Sequence, residues 1–224
     1  MGILIINYKS YKEAVDDGLS IAEAAKEVSK ELNVKIILSP PFTMLKDIAR
    51  VSPSIAQGMD LEEPGAHTGH VSWYEIKKSG AVGVLLNHSE NRIASKDGKI
   101  DYEKLSSLIH LCLDHDLDSY VCVENIEEAE KVVLFNPTAI AYEPPELIGG
   151  NISVSTARPS VVKDFCSTVK KASNSLALIG AGIKSGEDVR KSLSLGADGV
   201  LVASGIIKAK DFSAAIRELS LPLK

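Results

Sequence analysis

Short apolar runs alternate with longer segments of helical periodicity along the whole chain. Runs of three to five residues that are rich in Val, Ile, Leu and Ala predict buried strands at 3–6, 35–38, 55–57, 82–86, 120–123, 138–142, 177–179 and 199–202. Apolar residues at helical spacing predict helices over 11–32, 44–51, 73–79, 101–115, 126–134, 158–172, 186–195 and 211–219. Eight strands, each followed by helix, predict a single-domain (β/α)8 barrel over residues 1–224, with an open doubly wound sheet as the alternative.

Composition agrees with a parallel sheet. Hydrophobic residues make up 45% of the 224 residues and aromatic residues only 5%, so the core must rest on aliphatic side chains. The net charge is −5 and the basic residues are spread out, which argues against a nucleic-acid or membrane partner. Three widely spaced cysteines in apolar segments, Cys112, Cys122 and Cys166, are typical of reduced packing residues in a cytoplasmic protein.

Polar residues follow directly on several of the apolar runs. In a barrel of this kind, chemistry collects at the carboxyl ends of the strands. Asn7 and Lys9 follow the first run, where Lys9 could hold a phosphoryl group and stabilise a developing oxyanion. His88 follows the fourth run, and a helix beginning just after it would keep the imidazole neutral, while Glu90 could pair with Lys9 or with the backbone.

The sixth apolar run ends on Glu143 and is followed by two prolines, an apolar patch and two glycines. The prolines exclude helix at the residue before each of them, so they hold Glu143 at the strand end. The glycines give the other end of the segment a free backbone. Residues 144–150 therefore have the composition of a lid that closes over a catalytic acid or base at position 143.

Glycine-rich turns precede two of the late helices. Gly180-Ala181-Gly182 and Ala203-Ser204-Gly205 could present backbone N–H groups to a dianion at the ends of strands seven and eight, where barrels often hold phosphate. A metal site is not expected, because the histidines at 67, 70, 110 and 115 lack a carboxylate or cysteine at ligand spacing. No organic cofactor is expected either.

Three motifs resemble the catalytic signatures of the triosephosphate isomerase family. They are Asn7-Tyr8-Lys9, Asn87-His88-Ser89-Glu90 and Ala141-Tyr142-Glu143-Pro144, and their order and strand ends match the family too. The resemblance implies interconversion of dihydroxyacetone phosphate and D-glyceraldehyde 3-phosphate, with Lys9 electrostatic, His88 a neutral electrophile and Glu143 the base. The residues then expected to contact the substrate or its phosphate are Asn7, Tyr8, Lys9, Ile148, Gly149, Gly182, Ile183, Ala203 and Ser204.

The loop at 58–70 is similar to the family's interface loop, which implies self-association with Thr68 close to the partner's catalytic residues. The segment after Glu143 and the Gly180-Ala181-Gly182-Ile183 turn depart from the commoner family form and look like the archaeal-type branch, whose members are often tetramers. The resemblance therefore implies a homodimer or a homotetramer.

Two other functions fit the residues less well. One is a phosphosugar aldolase with Lys9 as Schiff-base nucleophile, and the other is a phosphosugar-binding barrel without catalysis.

Overall fold

The computed structural model describes residues 2–147 and 153–224. In these residues eight parallel strands form one sheet. The strands are β1 (Ile3–Asn7), β2 (Lys35–Ser39), β3 (Ile55–Ala56), β4 (Gly83–Leu86), β5 (Asp118–Val123), β6 (Ala139–Tyr142), β7 (Leu176–Ile179) and β8 (Gly199–Val202).

The sheet curls into a nearly closed barrel. The strand order is β2-β1-β8-β7-β6-β5-β4-β3, and β2 meets β3 through one parallel bridge between Leu38 and Ser54. A backbone bond from the Leu38 N–H to the Pro53 carbonyl, 2.9 Å long, supports this junction. The predicted (β/α)8 barrel is therefore confirmed, and the open doubly wound sheet is excluded.

Helices surround the barrel in the described part of the chain. They are α1 (Lys12–Asp16), α2 (Gly18–Leu32), α3 (Phe42–Ala49), α4 (Trp73–Ser79), α5 (Tyr102–Asp114), α6 (Ile126–Val132), α7 (Val154–Ala157), α8 (Pro159–Ala172), α9 (Gly186–Ser194), α10 (Ser204–Ile207) and α11 (Phe212–Ser220). Short 3-10 turns occupy Ser89–Asn91, Val133–Phe135, Pro145–Leu147 and Leu221–Leu223. None of the described helices is long and apolar enough to cross a membrane.

Local sequence explains several helix starts. Asp101 caps α5 by accepting a hydrogen bond from the Lys104 N–H. Ser72 and Ser185 begin α4 and α9 with reciprocal capping boxes. The predicted helix over 11–32 is wrong in one respect, because it is interrupted at Asp17. The periodicity continues across this break, so the sequence pattern did not reveal it.

Side chains alternate between two cores. The barrel interior is filled by alternate strand residues, namely Ile3, Ile5, Ile37, Ile55, Leu85, Tyr120, Cys122, Ala139, Ala141, Leu178 and Leu201. The other strand faces pack against the helices in a larger core. Because successive strand residues point to opposite faces, the inward series reaches Asn7 at the end of β1, and Glu143 and Gly180 one residue past the ends of β6 and β7. These three residues therefore lie at the barrel mouth, at the carboxyl ends of their strands.

Candidate active site

Two adjoining cavities open at the carboxyl ends of the strands and share Lys9 and Tyr11 in their walls. The larger has a volume of about 420 Å³, and the smaller about 40 Å³. The larger is also lined by Asn7, Ser10, Phe42, Gln57, Leu85, His88, Glu90 and Asn91. The smaller is also lined by Glu143, Gly180, Gly182, Ile183, Lys184, Leu201, Val202, Ala203 and Ser204.

Lys9 is held at the mouth by its own backbone and by an ion pair. Its φ of 48° lies in the left-handed region, which few non-glycine residues adopt. The Lys9 N–H donates to Asn7 Oδ1 at 2.9 Å, and Gln57 Nε2 donates to the Lys9 carbonyl at 3.0 Å. Lys9 Nζ lies 2.7 Å from Glu90 Oε1, so the pairing of Lys9 with Glu90 is present. A paired ammonium supplies charge to a substrate and is a poor Schiff-base nucleophile.

His88 is buried, and the turn that follows it fixes its tautomer. The Glu90 N–H donates to His88 Nδ1 at 3.2 Å, so the neutral ring carries its proton on Nε2. Burial lowers the pKa of His88 well below its usual value, and the nearby charge of Lys9 lowers it further, while Glu90 opposes the shift. His88 is therefore a neutral imidazole whose Nε2–H is a potential donor.

Glu143 is a carboxylate removed from water, with 2% of its surface exposed. Burial raises the pKa of Glu143 to about 7, while the Cys122 thiol and the charge of Lys9 both lower it. A pKa near neutrality suits a general base that must take and return a proton.

Residues that are expected to contact the phosphate line the smaller cavity. Gly182 has a φ of 71°, a left-handed conformation that favours glycine, and it lines this cavity together with Ile183, Ala203 and Ser204. Glu143 lines the same cavity, so a ligand held there would lie beside the carboxylate. Ile148 and Gly149, the two predicted phosphate contacts in the lid, lie outside the described residues.

Two of the predicted site residues, Tyr8 and Thr68, line neither of the two cavities. The side chain of Tyr8 is completely buried and donates to the Gly18 carbonyl at 3.1 Å, so it is turned away from both cavities and only the Tyr8 backbone is left for the predicted contact. Tyr8 lies in the outer core because it falls on the opposite face of the strand from Asn7 and Lys9. Thr68 is exposed and lines neither cavity, although its predicted contact is with a partner's site.

The sequence spacing was a poor guide to the surroundings of His70. Its Nδ1 lies 3.6 Å from Asp60 Oδ2 and 3.3 Å from Glu62 Oε2, and the three residues could offer ligand atoms within 4.8 Å of one another. The spacing of residues along the sequence therefore did not reveal that two carboxylates lie near His70 in the fold. None of the three residues lines the two cavities.

Sequence reasoning missed several residues of the site. Gln57 and Tyr11 line the cavity walls but belong to no motif. Cys122, expected only to pack, lowers the pKa of the Glu143 carboxyl. Gly180, interpreted as part of a phosphate-binding turn, lies directly against Glu143. The inward face of the strands, continued by one residue, could have identified Gly180.

A buried carboxylate of raised pKa, a neutral imidazole and a lysine meet at the mouth of a parallel barrel. Together they define a class of enzyme that transfers protons on a small anionic substrate without an added base. A family model described as "Triosephosphate isomerase" matches residues 2–219. The chain belongs to the triosephosphate isomerase family.

Similar proteins from archaea agree. A triosephosphate isomerase of Methanocaldococcus jannaschii is 42% identical over 221 residues, which cover 97% of this chain and 98% of that protein. Those of Methanothermus fervidus and Caldivirga maquilingensis are each 40% identical, over 97% and 99% of this chain and 96% and 97% of those proteins. Members of the family are aldose–ketose isomerases of glycolysis that act through an enediolate intermediate. This chain is an isomerase of that kind.

Proposed function

We propose that Glu143, His88 and Lys9 carry out the interconversion of dihydroxyacetone phosphate and D-glyceraldehyde 3-phosphate. The proposal is carried by one observation. His88 Nε2 and Glu143 Oε2 are both buried and lack hydrogen-bond partners among the described residues. Buried polar atoms are normally satisfied, so two such atoms at the wall of one site are best explained by a ligand that satisfies them.

Each residue then has a separate task. Glu143 removes a proton from the carbon beside the carbonyl, and His88 Nε2–H donates a hydrogen bond to the carbonyl oxygen, where negative charge develops. The enediolate that forms is neutralised by Lys9. The hydroxyl proton of the first carbon then passes to the oxygen of the second carbon by way of His88, which gives up its Nε2 proton to one oxygen and regains one from the other, while Glu143 returns its proton to the second carbon. These transfers convert ketose to aldose, and the same steps run backwards convert aldose to ketose. The atoms balance without metal, oxidant or cofactor.

The phosphate is best accommodated in the smaller cavity. Gly182, Ile183, Ala203 and Ser204 line it, and backbone N–H groups at such turns bind dianions. We extend the phosphate site to Ile148 and Gly149, and propose that residues 144–150 form a lid that excludes water from the enediolate.

We further propose that residues 1–224 form a single domain that self-associates through the loop at 58–70 and functions in the cytoplasm. The family is generally oligomeric, and this loop is exposed from Glu63 to His70. The cysteines Cys112, Cys122 and Cys166 are all free and buried, which is consistent with a reducing compartment.

The decisive test is isomerase turnover of the wild-type chain beside two matched variants. Glu143→Gln keeps the shape but removes the base, and we expect kcat/KM to fall by about 10³-fold or more. Glu130→Gln makes the same change at an exposed position of α6 and should leave turnover unaltered. Retention of a tenth of wild-type activity in Glu143→Gln would remove Glu143 from the base role. Irreversible inactivation by borohydride in the presence of substrate, through a Schiff base on Lys9, would instead support the aldolase function.

A further inference from the structure

Gly180 lies directly opposite the catalytic carboxylate. Strands β6 and β7 are paired so that Tyr142 faces Ile179, which sets Glu143 beside Gly180 one residue further on. The Gly180 N–H donates to the Tyr142 carbonyl at 3.0 Å and extends this register past the strand ends. Both residues continue the inward-facing series of their strands.

The space that a side chain at position 180 would need is filled by Glu143. A Cβ built on Gly180 would lie 2.5 Å from Glu143 Cγ, 2.6 Å from its Oε1 and 2.7 Å from its Cδ. Real Cβ atoms essentially never approach other atoms within 3.0 Å. Any larger residue at this position must therefore move the carboxylate or the backbone.

The backbone itself does not require glycine at position 180. Its φ is outside the left-handed region, in contrast to Gly182, whose φ is 71°. Alanine could adopt this backbone without strain. The requirement at position 180 is therefore one of space, which distinguishes Gly180 from a glycine that shapes a phosphate-binding turn.

Glu143 has little room to retreat. Its Oε2 lies 3.7 Å from His88 Nε2, and its neighbour Cys122 is buried in the barrel interior. Only 2% of the residue is exposed. A Cβ at position 180 would therefore displace the carboxylate within the site, and a misplacement of about 1 Å can cost a catalyst about 10²-fold in rate.

We propose that Gly180 is a positioning residue for the isomerisation, and that its missing side chain forms the pocket in which the Glu143 carboxylate is held. The inference rests on the proposed role of Glu143 as the base. It predicts that substitution at position 180 impairs the chemical step more than it impairs substrate binding.

The kinetic test compares Gly180→Ala with wild type and with Gly2→Ala. Gly2 precedes β1 at the opposite end of the barrel, and its added Cβ would meet the flexible Leu223 side chain at 2.7 Å, so it controls for a generic glycine-to-alanine clash. We expect Gly180→Ala to lower kcat about 10²-fold and to change KM less than about threefold.

Affinity for 2-phosphoglycolate should fall in Gly180→Ala, because the carboxylate of this compound resembles the enediolate, whereas affinity for glycerol 3-phosphate should not. Gly2→Ala should keep wild-type kcat. A folded Gly180→Ala protein with kcat within twofold of wild type, or with only KM altered, would overturn the inference.

A stability cycle tests the same contact without activity. Gly180→Ala is introduced into wild type and into Glu143→Ala, which removes all three clashing atoms, and the melting temperature of each protein is measured. We expect Gly180→Ala to lower the melting temperature of wild type and to have little effect beside Ala at position 143. Equal losses in both backgrounds, or failure of both to fold, would overturn the inference. An inactive wild type, or an active Glu143→Gln, would contradict the proposed function, whereas the stability cycle would still report on the contact.

Discussion

His88 Nε2 and Glu143 Oε2 lie 3.7 Å apart, close enough to face the same small ligand and too far apart for a hydrogen bond to each other. Both atoms are buried, and neither has a hydrogen-bond partner among the described residues. An ion pair between the two groups would require a charged imidazolium and a charged carboxylate, and burial disfavours both. The lowered pKa of His88 and the raised pKa of Glu143 favour neutral forms of both groups in the absence of substrate.

The rate of isomerisation should depend on the ionisation of Glu143. Because the base acts only when deprotonated and its pKa is raised to about 7, kcat/KM should rise with pH and level off above about pH 7. His88, whose pKa is lowered, should stay neutral through this range. Measurement of kcat/KM between pH 5 and pH 9 checks this expectation.

The pH profile of Cys122→Ala identifies the group whose protonation lowers kcat/KM at low pH, the acid limb of the profile. The Cys122 thiol lowers the pKa of Glu143, so its removal should move the limb to higher pH, whereas titration of the substrate phosphate is unchanged. An acid limb at the same pH in both proteins would assign it to a group other than Glu143.

Replacement of Glu143 by glutamine should stabilise the fold at high pH. The pKa of Glu143 is higher in the folded chain, about 7, than the 4.5 of a free side chain, so the wild type loses stability as pH rises through this window. The loss amounts to about 3 kcal/mol by about pH 8. Glutamine does not ionise, so Glu143→Gln should exceed wild type in unfolding free energy at pH 8, and by less at pH 5. Urea unfolding at both pH values measures this difference, and an equal difference at both would contradict the pKa shift.

Removal of the Asn7 side chain should disturb Lys9. Asn7 Oδ1 accepts from the Lys9 N–H and helps to hold the left-handed backbone of Lys9. We expect Asn7→Ala to cost about 1–2 kcal/mol in unfolding free energy and to lower kcat/KM at least about tenfold, because Lys9 is then less well oriented. Asn174→Ala removes an exposed amide from the turn before β7 and serves as the control. Wild-type kinetics in Asn7→Ala would show that the backbone of Lys9 does not depend on this bond.

The loop at 58–70 should govern self-association. A charge in the predicted interface should weaken it, so Thr68→Lys should yield smaller species in sedimentation experiments and reduce turnover at low enzyme concentration. Ser167→Lys adds the same charge at an exposed position of α8 and should leave both properties unchanged. If Thr68→Lys sediments as wild type does, the interface lies elsewhere.

The barrel and the three reactive side chains could be predicted from sequence because both depend on local patterns. Apolar runs mark strands that are buried on both faces, and a polar residue directly after such a run must lie at the barrel mouth. This reasoning located Lys9, His88 and Glu143 at the strand ends and in one region of the fold.

The remaining features depend on contacts between distant segments. Gln57 reaches the Lys9 carbonyl across 48 positions, and Asp60 approaches His70 only because the loop turns back on itself. Tyr8 adjoins Lys9 in sequence, yet it turns to the opposite face and binds the Gly18 carbonyl. Motif membership therefore did not predict the direction of a side chain, whereas the strand alternation did.

The junction between β2 and β3 is the least hydrogen-bonded part of the described barrel. Strand β3 has two residues, and one bridge joins it to β2, whereas β1 and β2 are paired over five residues. The loop at 58–70 begins two residues after β3 ends. A second copy that docks on this loop would therefore also stabilise the junction between β2 and β3. Closure of the barrel in each subunit and assembly of the proposed oligomer would then be cooperative.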